Sequence, residues 1–422
     1  MVDTDGGADD AMALLYLLQH PDVRVAAVTV TGTGLVHCPA GVANVRGLVA
    51  AAAPGADIPV ACGPQDPMTG TRAFPPEWRD QADDRYGGRL PAGPEGEDEG
   101  SAEALLHSVL DDADEPVTLL TLGPLTTLAA VLGDDPGLAG AVERLVVMGG
   151  AFDVPGNVLL EVEPEAAGTE WNFYVDPAAA AAVLEAGAPI TFVPLDTQIP
   201  VDPYVVRALA AVATAPPARA VAELLRSDPF YVSGQFFLWD PVAAVAAARP
   251  DLFVATDRDV TVVTDGPEAG RTVPAAGGVT VEIATIRDTG TVLGEYLTVL
   301  AGRSEPVALS RRADVTVGEG CGLDAAAAAA GPAVVAVDRA TIAAVGRLEA
   351  GRTDAEIEAY LADDPTGPPP WFELTTLVIG GEGAAATFAD LPPGELTVIC
   401  LSATQDPPVV TGRATLTVTV PG

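Results

Sequence analysis

Asp3-Thr4-Asp5-Gly6-Gly7-Ala8-Asp9-Asp10 runs directly into the apolar stretch Ala11–Leu18. Four carboxylates stand within eight positions, at what reads as the turn between a short strand and a helix. Like charge at that density repels itself unless a cation sits among it. No lysine occurs anywhere in the chain, and the nearest arginine is Arg24. A hard divalent cation with oxygen ligands is the natural partner. The alternative is a solvated acidic turn in which Asp9 or Asp10 caps the helix.

Outward from this turn, strand-like and helix-like segments alternate. Val23–Val30 reads as a strand and Ala40–Ala53 as a helix. Val117–Leu122, Leu145–Met148 and Ile190–Leu195 read as strands, with helices at Thr126–Leu132 and Asp176–Leu184. This alternation predicts an α/β fold, a mostly parallel sheet with helices on both faces. Ligands of such sheets bind outside the carboxyl ends of the strands. The acidic turn, Gly123-Pro124, Gly149-Gly150 and Asp196 all fall at strand carboxyl ends, so one site can gather them. Two long segments, Gly63–Gly100 and Asp153–Thr169, break the rhythm and read as binding loops or lids.

The pattern changes after about Arg303. An alanine run (Ala325–Ala330), a proline-rich stretch (Pro365–Pro370) and short strand-like segments at Val315–Val317, Val334–Val337, Leu374–Ile379, Leu396–Leu401 and Thr415–Val420 follow. We read 1–302 as one domain, 303–312 as a linker and 313–422 as a small β-sandwich-like domain with one helix at Asp354–Leu361.

The 422 residues are 49% apolar and carry a net charge of −38. The acidic balance disfavours nucleic acid, whose phosphates need clustered Lys or Arg. It favours attraction of cations. No apolar run reaches the roughly 18 residues of a membrane span. No basic start with an apolar stretch precedes the acidic motif, which reads as cytoplasmic. A truncated start together with a bond between Cys321 and Cys400 would instead read as extracytoplasmic. The other cysteines are Cys38 and Cys62, and none forms a CxxC, which argues against a cysteine-held zinc. The sequence leaves open whether the chain works as a homodimer or a homotetramer.

Over residues 1–302 the motifs resemble, in order, those of the inosine–uridine nucleoside hydrolase family. DTDGGADD is similar to its DxDxxxDD metal motif, and LGPLTTLA (Leu122–Ala129) to its TGPLTNLA segment. VVMGGAF (Val146–Phe152), Gly156-Asn157, TEWNFYVDP (Thr169–Pro177) and LWDPVAA (Leu238–Ala244) resemble the later blocks. FPPEWR (Phe74–Arg79), Glu170-Trp171-Asn172 and Trp239-Asp240 are closest to the purine-preferring inosine–adenosine–guanosine subgroup.

The resemblance implies calcium-dependent hydrolysis of the N-glycosidic bond of purine ribonucleosides. It implies Ca²⁺ held by Asp5, Asp10, Asp240 and the backbone carbonyl of Leu122, where the family has Thr. Such an ion lowers the pKa of a bound water and orients it, and Asp5 would take the proton. Asp5, Asp240 and Asn172 form the implied catalytic set. Asp9, Asn157, Glu170 and Asn172 would hold the ribose, and Trp78 and Trp239 would stack on the base. Thr33 stands in a TGTG turn where the family carries Asn or Asp, and is a weaker ribose or water contact. His20, His37 and His107 lie outside the matched segments, so protonation of a stacked purine replaces a histidine acid.

Rival readings are a non-specific or pyrimidine-accepting hydrolase, a catalytically silent nucleoside- or metal-binding protein, and a haloacid-dehalogenase-type phosphatase. The absence of lysine and the Asp9-Asp10 pair argue against the last.

Overall fold

The computed structural model describes residues 1–91, 93, 100–113, 115–158, 166, 168–201, 203–227, 236–307, 314–317, 334–336, 341–362, 369, 371–379, 385–387, 394–402 and 408–419. The chain divides into two compact units. One comprises Met1–Val201 and Leu209–Val307, the other Asp202–Ala208 and Ala308–Gly422.

The first unit is built on a nine-stranded sheet: β1 (Val2–Thr4), β2 (Val28–Val30), β3 (Val60–Cys62), β4 (Val117–Thr121), β5 (Val142–Met148), β6 (Ile190–Val193), β7 (Phe253–Val262), β8 (Thr272–Pro274) and β9 (Val279–Ile286). Their order is β3-β2-β1-β4-β5-β6-β9-β7-β8. From β3 to β9 the pairing is parallel, whereas β7 pairs antiparallel with both β9 and β8. The short apolar strands are buried on both faces, as a helix-covered parallel sheet requires. On one face Leu125, Leu128, Ala179 and Val183 of the helices Thr126–Asp134 and Pro177–Glu185 pack with Leu145, Val147 and Phe192. Each fully buried Val, Leu or Phe there contributes about 1.5–3 kcal/mol. Elsewhere the helices Ala8–Gln19 and Trp239–Ala248 pack on each other.

The expected strand Val23–Val30 is only Val28–Val30, because β1 offers just three residues for it to pair with. Val2 pairs with Val28 on one side and Leu120 on the other. Chain order therefore reverses at β1, and the crevice above β1 and β4 is the topological switch point. The acidic turn follows β1, and Leu122-Gly123 follows β4, so both open into this crevice.

In the second unit, Asp314–Val317, Val410–Thr419, Gly394–Ser402, Thr341–Leu348 and Phe372–Ile379 form an antiparallel sheet in that order. Val334–Ala336 pairs antiparallel with Ala385–Thr387. The helix Asp354–Ala362 contributes Ile357 to a core with Ala344, Phe372, Ile399 and Leu401. Cys321 and the Ala325–Ala330 run lie outside the described residues; Cys400 is disulfide-bonded. A disulfide not expected from the sequence joins Cys38 to Cys62, with Cα atoms 5.5 Å apart. Among the described residues no helix is long and apolar enough to cross a membrane.

Candidate active site

A cavity of about 330 Å³ opens at the carboxyl ends of the strands. Every candidate ligand or substrate contact lines it except Thr33; Asp196, expected at the same strand ends, does not line it and instead accepts from the N–H groups of Phe152 and Asp153. Its floor is acidic and its walls are aromatic.

The floor forms where the turn after β1 meets the start of the helix Trp239–Ala248. One carboxylate oxygen from each of Asp9, Asp10 and Asp240 lies within 4.8 Å of the others. Asp10 is held by the turn it belongs to. Its carboxylate accepts from the backbone N–H of Asp5 and of Gly7, each at 3.0 Å, and from the Thr4 hydroxyl. Asp5 sits between two glycines: a Cβ on Gly34 would lie 2.1 Å, and one on Gly123 2.5 Å, from its Cβ. Only glycine lets the turns after β2 and β4 close on Asp5 in this way.

Burial holds the Asp5 and Asp240 carboxyls well above the usual carboxylate range. Repulsion from neighbouring aspartates adds to the effect, and both face Asp10. Among the described residues no Lys, Arg or His lines the cavity. Buried, mutually repelling carboxylates without a cationic side chain are the donor set a hard divalent cation requires. Asp9 thus stands with Asp10 and Asp240, although its expected place was beside the ribose.

Beside the floor, Asn172 donates from Nδ2 to the carbonyls of Leu122 (3.0 Å) and Met148 (3.2 Å). This fixes the Leu122 carbonyl at the cavity edge. Glu170 caps the short helix Trp171–Val175, accepting from the N–H of Asn172 at 2.9 Å and of Phe173 at 3.2 Å. Gly150 N–H donates to it as well, at 3.2 Å. Burial still outweighs these bonds and pushes the Glu170 carboxyl up to about 7. Asn157 accepts from the Trp171 N–H at 3.0 Å. Gly156 precedes it because a Cβ there would lie 1.9 Å from the Thr169 carbonyl.

Two aromatic groups form the walls. Phe74 stacks on Trp171 at 5.0 Å, and Trp78 meets Trp171 edge-on at 5.4 Å. Trp171 both packs and lines the cavity. In the second group Trp239 stacks on Phe237 at 5.1 Å, and its indole N–H donates to Gln198 at 2.8 Å.

Thr33 is buried elsewhere, its hydroxyl bonded to those of Thr31 and Thr126, each at 3.0 Å. The threonine pairs with its neighbours where a longer amide would reach outward. Tyr86 was not anticipated. It lines the cavity, donates to the Gly6 carbonyl at 2.9 Å, and has a left-handed φ of 53° after Arg85 at 55°. The Gly87-Gly88 pair after it was the only sequence sign of a turn. The histidines are engaged elsewhere: His20 with Glu295, His37 with Asp83 and His107 with Asp135.

A sequence model of the family described as "Inosine-uridine preferring nucleoside hydrolase" matches residues 1–326. The chain belongs to the inosine-uridine preferring nucleoside hydrolase family. This hydrolase is 32% identical over 287 residues to Uridine nucleosidase 1 of Arabidopsis thaliana, covering 66% of the chain and 82% of that protein. It is 33% identical over 286 residues to the pyrimidine-specific ribonucleoside hydrolase RihA of Klebsiella pneumoniae, covering 63% and 84%. The inosine-uridine preferring nucleoside hydrolase of Bacillus anthracis superposes with a TM-score of 0.61 at 28% identity, covering 71% of this chain and 98% of that one. A purine-preferring ribonucleoside hydrolase from Gardnerella vaginalis shares the fold, with TM-score 0.60 at 23% identity, covering 71% and 97%. The hydrolase therefore cleaves N-glycosidic bonds of nucleosides, and the acidic floor lies where its family's metal motif falls.

Proposed function

We propose that residues 1–302 form a calcium-dependent hydrolase that cleaves purine ribonucleosides to ribose and free base. The observation that carries this reading is the acidic floor beneath two aromatic walls in one cavity. Asp5, Asp10, Asp240 and the Leu122 carbonyl would hold the ion, with Asp9 beside them; all are oxygen donors, as calcium prefers. Bound there, the ion would lower the pKa of a water and orient it toward the anomeric carbon. Asp5 would be the acceptor for the attacking water's proton. Asn157, Glu170 and Asn172 orient the ribose, and hydrogen bonds that tighten as the sugar flattens act on the transition state.

With no histidine lining the cavity among the described residues, base departure falls to the indoles. Trp78 and Trp239 offer electron-rich faces that favour a protonated purine, so the base leaves neutral. The absence of Lys and Arg from the described lining also favours nucleosides over nucleotides, whose phosphate the floor would repel.

The names of the curated relatives favour a second reading, a pyrimidine-accepting hydrolase. Comparing kcat/KM for inosine, guanosine, uridine and cytidine decides between them. We expect the purines to lead by about two- to tenfold, the effect of one stacking contact of about 0.5–1.5 kcal/mol. Uridine as the best substrate would overturn the purine assignment.

A further inference from the structure

We propose that Gln198 is a positioning residue for base departure, acting through the indole of Trp239. The inference rests on the stacking role given to Trp239 above. Gln198 is held from both sides. Its neighbour Thr197 is buried and bonds the Ala284 carbonyl in β9. Its other neighbour, Ile199, accepts from the Leu238 N–H at 2.8 Å, and the Phe236 carbonyl accepts from Val201 N–H at 2.9 Å. The segment after β6 thus zips antiparallel against 236–238 and sets Gln198 beside Trp239. The amide oxygen of Gln198 then accepts the one hydrogen-bond donor an indole has, at 2.8 Å.

Phe237 covers the ring with an interplanar angle of 30° at 5.1 Å. With one edge bonded and Phe237 stacked on it, the indole has one orientation to offer a base. The bond has an electronic consequence too. An acceptor on the N–H draws the proton outward and enriches the ring, which strengthens its attraction for a cation over its face. Gln198 therefore serves the protonated purine without lining the cavity.

The test uses the full chain with calcium present. Gln198→Leu removes the acceptor, and Gln198→Glu keeps one. The Trp239 indole ¹⁵N–¹H resonance, assigned through Trp239→Phe, reports the bond independently of turnover. We expect it to move upfield in Gln198→Leu and to remain downfield in Gln198→Glu. Loss of one orienting hydrogen bond should lower kcat for inosine about five- to tenfold. Hydrolysis of p-nitrophenyl riboside, whose leaving group needs no proton, should change less than about twofold. Gln198→Glu should restore inosine turnover to within about threefold.

A double-mutant cycle completes the test. In the Trp239→Phe background, which has no indole N–H, Gln198→Leu should add nothing. Equal losses on both substrates, or an undiminished effect in the Trp239→Phe background, would overturn the proposal and leave Gln198 a packing residue. An unshifted resonance would overturn it as well. Failure of the underlying reading looks different: Trp239→Ala would then lack any selective effect on purines.

Discussion

Asp10 and Asp240 share the acidic floor but are held differently, and this separates their contributions to stability. The Asp10 carboxylate accepts from Asp5 N–H, Gly7 N–H and the Thr4 hydroxyl, all buried within the turn. Asp10→Ala leaves the Asp5 N–H and the Thr4 hydroxyl without an acceptor, while Gly7 N–H keeps Asp5 Oδ1 at 3.3 Å. At about 1–1.5 kcal/mol for each of the two lost bonds, the loss is about 2–3 kcal/mol. Burial raises the Asp5 and Asp240 carboxyls, which weakens the repulsion that removing Asp10 would relieve. At about 2–4 °C per kcal/mol for a large domain, Tm should fall by about 4–12 °C. Among the described residues Asp240 makes no comparable set of backbone bonds, and the amide of Asp240→Asn can donate to Asp10. That variant should melt within about 3 °C of the wild type in chelator, or above it. Calcium at 100 times its Kd should add about 2.7 kcal/mol to the wild type and markedly less to either variant. Melting curves in EDTA and in calcium read all of this. Equal destabilisation of both variants in EDTA, or a full calcium response in Asp240→Asn, would refute the reasoning.

Burial raises the Asp3 and Glu170 carboxyls to about 7. The metal-free fold therefore binds more protons than the unfolded chain between about pH 4 and 7, so its stability falls as pH rises through that window; melting without metal that is flat or rising over the same range would contradict this. Trp239→Ala should slow inosine by more than the roughly tenfold of a lost stacking contact, mainly in kcat, and p-nitrophenyl riboside much less. Equal losses on the two substrates would reduce Trp239 to packing. Cys38 and Cys62 should resist alkylation in the unreduced, denatured protein, and peptide mapping should recover them as one linked pair; free thiols at both positions would contradict the bond.

The parallel sheet was legible because its strands are short apolar runs ending in Gly, Pro or Asp, and these ends coincide with the motifs. The floor was legible for the same reason: Asp5, Asp10 and Asp240 sit beside strand or helix ends, where the backbone fixes their direction. What escaped depends on distant neighbours. Cys38 and Cys62 meet because β2 and β3 pair in parallel, and spacing in sequence carries no sign of that. Tyr86 reaches the cavity through a left-handed backbone that non-glycine residues rarely adopt. Thr33 was placed by analogy with a longer side chain, and its own hydroxyl is consumed by Thr31 and Thr126. Gln198 stands beside Trp239 through a pairing between segments far apart in the chain. The strands β7 to β9 carry many exposed positions, unlike the apolar runs that marked the other strands of the sheet.

The central claim is that the acidic floor needs a cation to hydrolyse a nucleoside. Release of reducing sugar from inosine, followed before chelation, after chelation and after calcium is returned, tests it most directly. The account predicts turnover that disappears with chelator and returns with calcium, in wild type and not in Asp10→Ala. Undiminished turnover by the chelated protein, or no sugar released from any nucleoside with calcium in excess, would contradict it.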